Sequence, residues 1–258
     1  MMMRQWSLPS WLRPGHRGTP LITPVHHFPM HRDQLLQELR RLHCQQRNVL
    51  LVGPAGIGKT TLLRTLSETL PLTICDETSS LGRLCDCLGN RIGWSHEKLG
   101  IIVRKNQLLR HLRTHPGPIV FDQVAETPPR VARFIGHLLD ELPVWIACRS
   151  DRRRDIGHVW ENLYRFVRVE IPPFTEREAA HLIEAAVYSG KIQPDAVRHC
   201  VDLYRMSRGS PHILQELITE LATRKYNLNS SAGLKLLKLD RRIHNLGNFD
   251  SPATSGGK

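Results

Sequence analysis

One stretch limits what this chain can fold into more than any other: Gly53-Pro-Ala-Gly-Ile-Gly-Lys-Thr-Thr61. It fills every fixed position of the pattern G-x-x-x-x-G-K-[ST], and its flanks suit that pattern. Asn48-Val-Leu-Leu-Val52 before it is short, apolar and closed by Gly53-Pro54, as a strand buried on both faces should be. A helix is expected from Lys59. Glycines let successive backbone N–H groups curl round a polyphosphate, and the helix N-terminus adds a partial positive charge of about half a unit. A glycine-rich turn that only joined strand to helix would not need every fixed position filled. The candidate phosphate-binding residues are therefore Gly53, Pro54, Ala55, Gly56, Ile57, Gly58, Lys59, Thr60 and Thr61. Lys59 is expected to reach the β- and γ-phosphates of a nucleotide, and the Thr60 hydroxyl to ligate Mg²⁺.

A loop of this kind works with an acidic strand end that holds the metal. Pro118-Ile-Val-Phe-Asp122 supplies one, an apolar run ending in a carboxylate, so Asp122 joins Thr60 as the metal-side pair. Taken alone, Asp122 could equally open a turn; its pairing with the loop favours the metal role. No Asn-Lys-x-Asp guanine signature occurs in the chain, which favours ATP over GTP.

The rest of the chain alternates. Short strand candidates at Leu72–Cys75, Ile119–Asp122, Val144–Cys148 and Val167–Ile171 are separated by helical spacing over Leu81–Ile92, Gln107–Thr114, Arg130–Glu141 and Arg154–Leu163. A helix over about His31–His43 precedes them. Alternation of this sort predicts an α/β fold, a parallel sheet covered on both sides in three layers. Past Ile171-Pro-Pro173 the strands stop. Thr175-Glu-Arg-Glu178 reads as a capping box ahead of a first helix; Pro194 opens a second, over Asp195–Met206; a third runs from Ser210 to Lys225. The expected organisation is a basic, loosely ordered extension over 1–27, a core over 28–171, a small helical lid over 172–226, and a basic, partly disordered tail over 227–258. The tail holds one amphipathic segment, Leu234–Ile243.

Composition narrows the class. With 40% hydrophobic and 23% charged residues the 258-residue chain is globular, not collagen-like or coiled-coil. No apolar run nears the roughly 20 residues that span a bilayer, so no membrane partner is expected. The start lacks the apolar segment of a secretory signal, and six cysteines are too sparse for a disulfide scaffold. Cys85-Asp-Cys87 lacks the second half of a zinc site. A reducing, cytoplasmic location is expected. Lys and Arg number 36 against 24 Asp and Glu, a net charge of +12 that attracts DNA, RNA, anionic lipid and nucleotide phosphates alike.

Together these motifs resemble the AAA+ and related signal-transduction (STAND) P-loop ATPases, in particular the small Orc/Cdc6-like and bacterial AAA modules. The resemblance covers 28–224. Phe28-Pro-Met-His-Arg32-Asp-Gln-Leu35 is similar to the family's F-x-G-R-x-x-x-L box, which implies that Arg32 flanks the adenine, although Met30-His31 stands where Gly is usual. Val144-Trp-Ile-Ala-Cys-Arg149 is similar to the fourth-strand sensor, which implies that Arg149 points at the γ-phosphate. Ile171–Glu178 resembles the linker into the lid, and Arg208-Gly-Ser-Pro211 the lid motif whose Pro211 packs near adenine. The implied ligands are ATP and Mg²⁺, and the implied catalytic set is Lys59, Asp122, Gln123 and Arg149.

Gln123 departs from that pattern. The family places an acid after the metal-side Asp to polarise the attacking water; a carboxamide can orient water but cannot accept its proton, so slow or absent hydrolysis is expected. Glu77 and Glu126 are substitute bases or plain surface carboxylates. Arg149-Ser-Asp-Arg-Arg-Arg154 can face solvent, a neighbouring subunit or a nucleic-acid backbone, and Arg165 can act in trans or lie exposed. Three functions remain open: an ATP-dependent switch that forms a homo-oligomer or binds a partner, a DNA-associated regulator of transposition or replication type, and a scaffold that keeps ATP unhydrolysed.

Overall fold

The computed structural model describes residues 30–94, 100–114, 117–223, 225–228 and 231–247; the 1–27 extension, Phe28, Pro29 and residues 248–258 lie outside them. The first half alternates as the apolar pattern requires: α1 (Met30–Cys44), β1 (Val49–Val52), α2 (Lys59–Ser67), β2 (Thr73–Cys75), α3 (Leu81–Arg91), α4 (Ile101–Leu112), β3 (Ile119–Val124) and α5 (Pro129–Glu141). Then come β4 (Val144–Cys148), α6 (Arg153–Ile156), β5 (Val167–Glu170), α7 (Glu176–Tyr188), α8 (Cys200–Ser207), α9 (Pro211–Ala222) and α10 (Ser231–Gly247).

The strands form one parallel sheet in the order β2-β3-β4-β1-β5, with Leu50 opposite Ile146 on one side and Arg168 on the other. Successive side chains of β1 point to opposite faces and all are buried. Leu50 and Val52 join the cluster built on α3, α4 and α5, which includes Leu84, Leu108 and Phe134. Val49 and Leu51 join the cluster under α1 and α2, which includes Leu39 and Leu62. This is the three-layer α/β/α arrangement, and each fully buried Leu contributes about 1.5–3 kcal/mol.

A third cluster belongs to the helices beyond the sheet. Ile183 of α7, Leu203 of α8 and Leu217 of α9 pack with Tyr226, Leu228, and Leu234 and Leu237 of α10. The apolar core of α7, α8 and α9, the helices expected to form a lid over 172–226, thus continues past residue 226 into α10. α7 starts as its sequence requires: Thr175 Oγ1 accepts from the Glu178 N–H, and the Thr175 N–H donates to Glu178 Oε2 at 2.7 Å.

Three helices differ from expectation. The segment Arg154–Leu163 breaks at Gly157, whose φ is 66° and whose missing Cβ would lie 2.4 Å from the Thr127 nitrogen. Beyond that break the chain winds as a 3-10 segment, His158–Arg165. The helix expected from Asp195 is a 3-10 turn, Pro194–His199, leading into α8. α4 starts at Ile101, earlier than Gln107, with Gly100 at its N-cap and with Ile101 and Ile102 of its first turn exposed at 41% and 72%. Among the described residues, no helix is long and apolar enough to cross a membrane.

Candidate functional site

The loop after β1, the end of β3 and the first residue beyond β4 all open on the carboxyl edge of the sheet, where open parallel sheets take their ligands. A cleft of about 650 Å³ lies there, walled by the loop and α2, by Gln123 and Glu126 after β3, by Arg149, and by the start of α9. Ala55, Gly56, Gly58, Lys59, Thr60 and Thr61 line it, with Gln123, Arg149 and Pro211. Gly53 and Ile57 are buried beneath the loop, and Pro54 is exposed outside the cleft lining.

Lys59 Nζ donates to the Gly53 carbonyl at 2.6 Å and the Pro54 carbonyl at 2.9 Å, arched back over its own loop. Burial holds its ammonium below the ordinary lysine range; Asp122 opposes that shift and Arg149 adds to it. The Thr60 hydroxyl donates to Asp122 Oδ2 at 2.6 Å, while Oδ1 accepts from the Gln123 N–H at 2.9 Å. Asp122 is 2% exposed, so this carboxylate is fixed by two donors at the bottom of the loop. Thr60 and Asp122 present two hard oxygens, which fits Mg²⁺, a cation that keeps several waters and takes remaining ligands from phosphate.

β3 is bulged where it meets the cleft. Its register against β4 shifts between Phe121 and Val124, and Gln123 sits at φ 55°, in the left-handed region that costs a non-glycine residue about 1 kcal/mol or more. The bulge turns the Gln123 side chain outward into the cleft while leaving Asp122 inward. Of the two substitute acids, Glu126 lines the cleft. Glu77 does not; its carboxylate accepts the Ser79 N–H at 2.8 Å.

The start of α9 touches the loop directly. The His212 N–H and the Ser210 hydroxyl both donate to the Gly56 carbonyl, at 3.3 and 3.4 Å. Gly56 has φ 73°, and a Cβ there would lie 2.9 Å from His212 Cβ. Only glycine fits this approach.

Arg32, for which the family box implies a place beside the adenine, is buried against the loop. It is 2% exposed, outside the cleft, and its guanidinium donates to the carbonyls of Ile57 at 2.9 Å and Pro172 at 3.3 Å while lying 5.3 Å from the Phe174 ring centre. Burial lowers its pKa. It ties the loop to the linker entering the lid. Arg165 is held within its own chain by Asp140 at 2.8 Å and the Leu139 carbonyl. Arg154 of the basic cluster lines the cleft too, as do His212 and Gln215, which no motif marked although they lie beside Pro211 in the sequence.

No known protein-family profile matches the chain. Solved structures do share its fold. Cdc6p from Pyrobaculum aerophilum superposes with a TM-score of 0.61 at 16% identity, over 79% of this chain and 64% of that one. The Orc1 protein of Aeropyrum pernix, solved in complex with DNA, gives 0.60 at 17% identity, over 85% and 68%. A Walker-type ATPase of Pyrococcus abyssi gives 0.55 at 14%, over 85% and 74%. The chain thus spans under two thirds of the length of the Cdc6 protein it matches. With its loop, its bulged acidic strand and its helical lid, this chain has the fold of the Orc/Cdc6-like AAA+ P-loop ATPases.

Proposed function

We propose that the chain binds ATP with Mg²⁺ in the cleft and works as a nucleotide-dependent switch whose output is the position of the lid. The observation that carries this reading is the double hydrogen bond from Ser210 and His212 to Gly56. Phosphates cradled by the loop would alter the one backbone carbonyl on which α9 rests, so a ligand that interacts differently with the two lid positions shifts their populations. Lys59 supplies a cation beside the β- and γ-phosphates, Arg149 a second across the cleft, and Thr60 and Asp122 the protein ligands of the metal. Bound Mg²⁺ would neutralise charge on the phosphates and polarise them. Gln123 can align a water but not take its proton, so turnover is slow.

A second reading, a DNA-associated module, draws support from the net charge of +12 and from the likeness to an Orc1 protein solved with DNA. Limited proteolysis separates a switch from a scaffold. A switch shows different cleavage in the 172–226 region with ATP, ADP and no nucleotide. An identical pattern in all three states contradicts the switch.

A further inference from the structure

A second recess lies on the lid, away from the cleft. It is a groove of about 1240 Å³ between α8, α9 and α10, and Arg205, Arg208, Lys235, Lys238, Arg241 and Arg242 line it. Met206, Ile213 and Leu239 supply its apolar parts. Two of these cations are neutralised: Lys238 pairs with Asp202 at 2.8 Å, and Arg241 with Glu216 at 2.5 Å. Arg205, Arg208, Lys235 and Arg242 are exposed, and none of them forms an ion pair with a described residue. Among the described residues Glu216 is the only acid in the lining, and its two oxygens are already shared between Arg241 and His212, the latter at 3.2 Å. Like charges gathered in one recess repel one another, so the arrangement gains most from a polyanion.

We propose that this groove holds the phosphate backbone of a nucleic acid, and that α9 couples its occupancy to the nucleotide cleft. The cations stand on α8, at its C-terminal end and on α10, and with Ile213 and Glu216 of α9 they surround a concavity, which a chain of regularly spaced phosphates can follow and which a flat bilayer cannot enter. The coupling path is short. Gly56 of the phosphate loop accepts from the His212 N–H, the His212 ring meets Glu216, and Glu216 holds Arg241 of the groove. Pro211, His212 and Gln215 line the cleft, whereas Ile213 and Glu216 line the groove, so one helix serves both. The groove's ligand deepens the DNA-associated reading; the coupling rests on the switch reading.

The test is a titration of fluorescent duplex and single-stranded oligonucleotides against the full chain over a salt series, with and without ATP. Lys235→Ala with Arg242→Ala removes two exposed, unpaired cations and should leave the fold intact. Affinity should fall about tenfold, and the slope of log K against log salt should shrink by about two for duplex. Arg130→Ala with Arg133→Ala, exposed on α5, removes the same charge elsewhere and should have a much smaller effect. Equal losses from both pairs, or no loss from the groove pair, overturn the groove. So does wild-type binding to phosphatidylserine vesicles or polyglutamate but not to nucleic acid. ATP should change the oligonucleotide affinity of the wild type severalfold and of Glu216→Gln much less. Equal affinities with and without ATP overturn the coupling and leave the groove standing. Direct ATP binding, measured without oligonucleotide, keeps failure of the nucleotide site distinguishable from either.

Discussion

The hydroxyl of Thr60 and the carboxylate of Asp122 are joined by a 2.6 Å hydrogen bond across 62 residues of chain. It locks the first turn of α2 onto the end of β3, so these two oxygens are set by the fold before any ligand arrives. Such preorganisation removes ordering cost from binding. Asp122→Asn keeps the shape but weakens the acceptor and removes a charge. It should lower ATP affinity more than tenfold in Mg²⁺ and hardly at all in EDTA, by nucleotide titration in both buffers. Equal losses in the two buffers would remove Asp122 from the metal site.

The bulge makes Gln123 the side chain that a water in the cleft would meet. Gln123→Glu should raise phosphate release, up to the roughly 10²–10⁴-fold that a general base typically supplies. Unchanged turnover on installing the acid contradicts this account of slow hydrolysis. Because Gln123 sits at φ 55°, Gln123→Gly should stabilise the fold by up to about 1 kcal/mol in denaturant unfolding.

Arg32 bonds two carbonyls at the junction of loop and lid. Arg32→Leu strands both acceptors in a buried place and should destabilise the chain by about 2 kcal/mol. Urea unfolding checks it. Nucleotide affinity should fall as well, since the Ile57 carbonyl belongs to the loop. A loss of affinity with unchanged stability would instead point to direct contact with the nucleotide.

The thiols should react in order. Cys87 is held below the usual thiol range chiefly by its hydrogen bond with Cys75, whereas that same bond raises Cys75, and burial raises Cys85 and Cys148. A lowered pKa puts more thiolate at a given pH, and thiolate is the nucleophile. Alkylation by iodoacetamide, followed by mass spectrometry from pH 6 to 10, should label Cys87 at lower pH than those three. Labelling of Cys148 before Cys87 contradicts this.

Much of this was legible because backbone chemistry demanded particular residue types. The loop needs Gly56 and Gly58 for its positive φ, β1 needs an unbroken apolar run to be buried on two faces, and α7 announces itself through the Thr175–Glu178 box. The features that stayed hidden depend on contacts between distant segments. Gly157, which ends a helix, lies against the Thr127 backbone, where a Cβ would sit 2.4 Å from the Thr127 nitrogen. Arg32 bonds the Pro172 carbonyl, 140 residues away in the chain. The bulge at Gln123 comes from pairing with β4, which no local pattern records. The groove on the lid required α10 to fold back onto α8 and α9, and its cations are scattered over 38 positions, Arg205 to Arg242.

The central claim is that the loop from Gly53 to Thr61 grips a triphosphate. Calorimetric titration of ATP into the pure chain with Mg²⁺, beside Lys59→Ala, tests it most directly. The account predicts saturable one-site binding in the wild type, weakened at least tenfold by the loss of the Lys59 ammonium. Absence of saturable heat from the wild type up to millimolar ATP, or equal binding by Lys59→Ala, would contradict it.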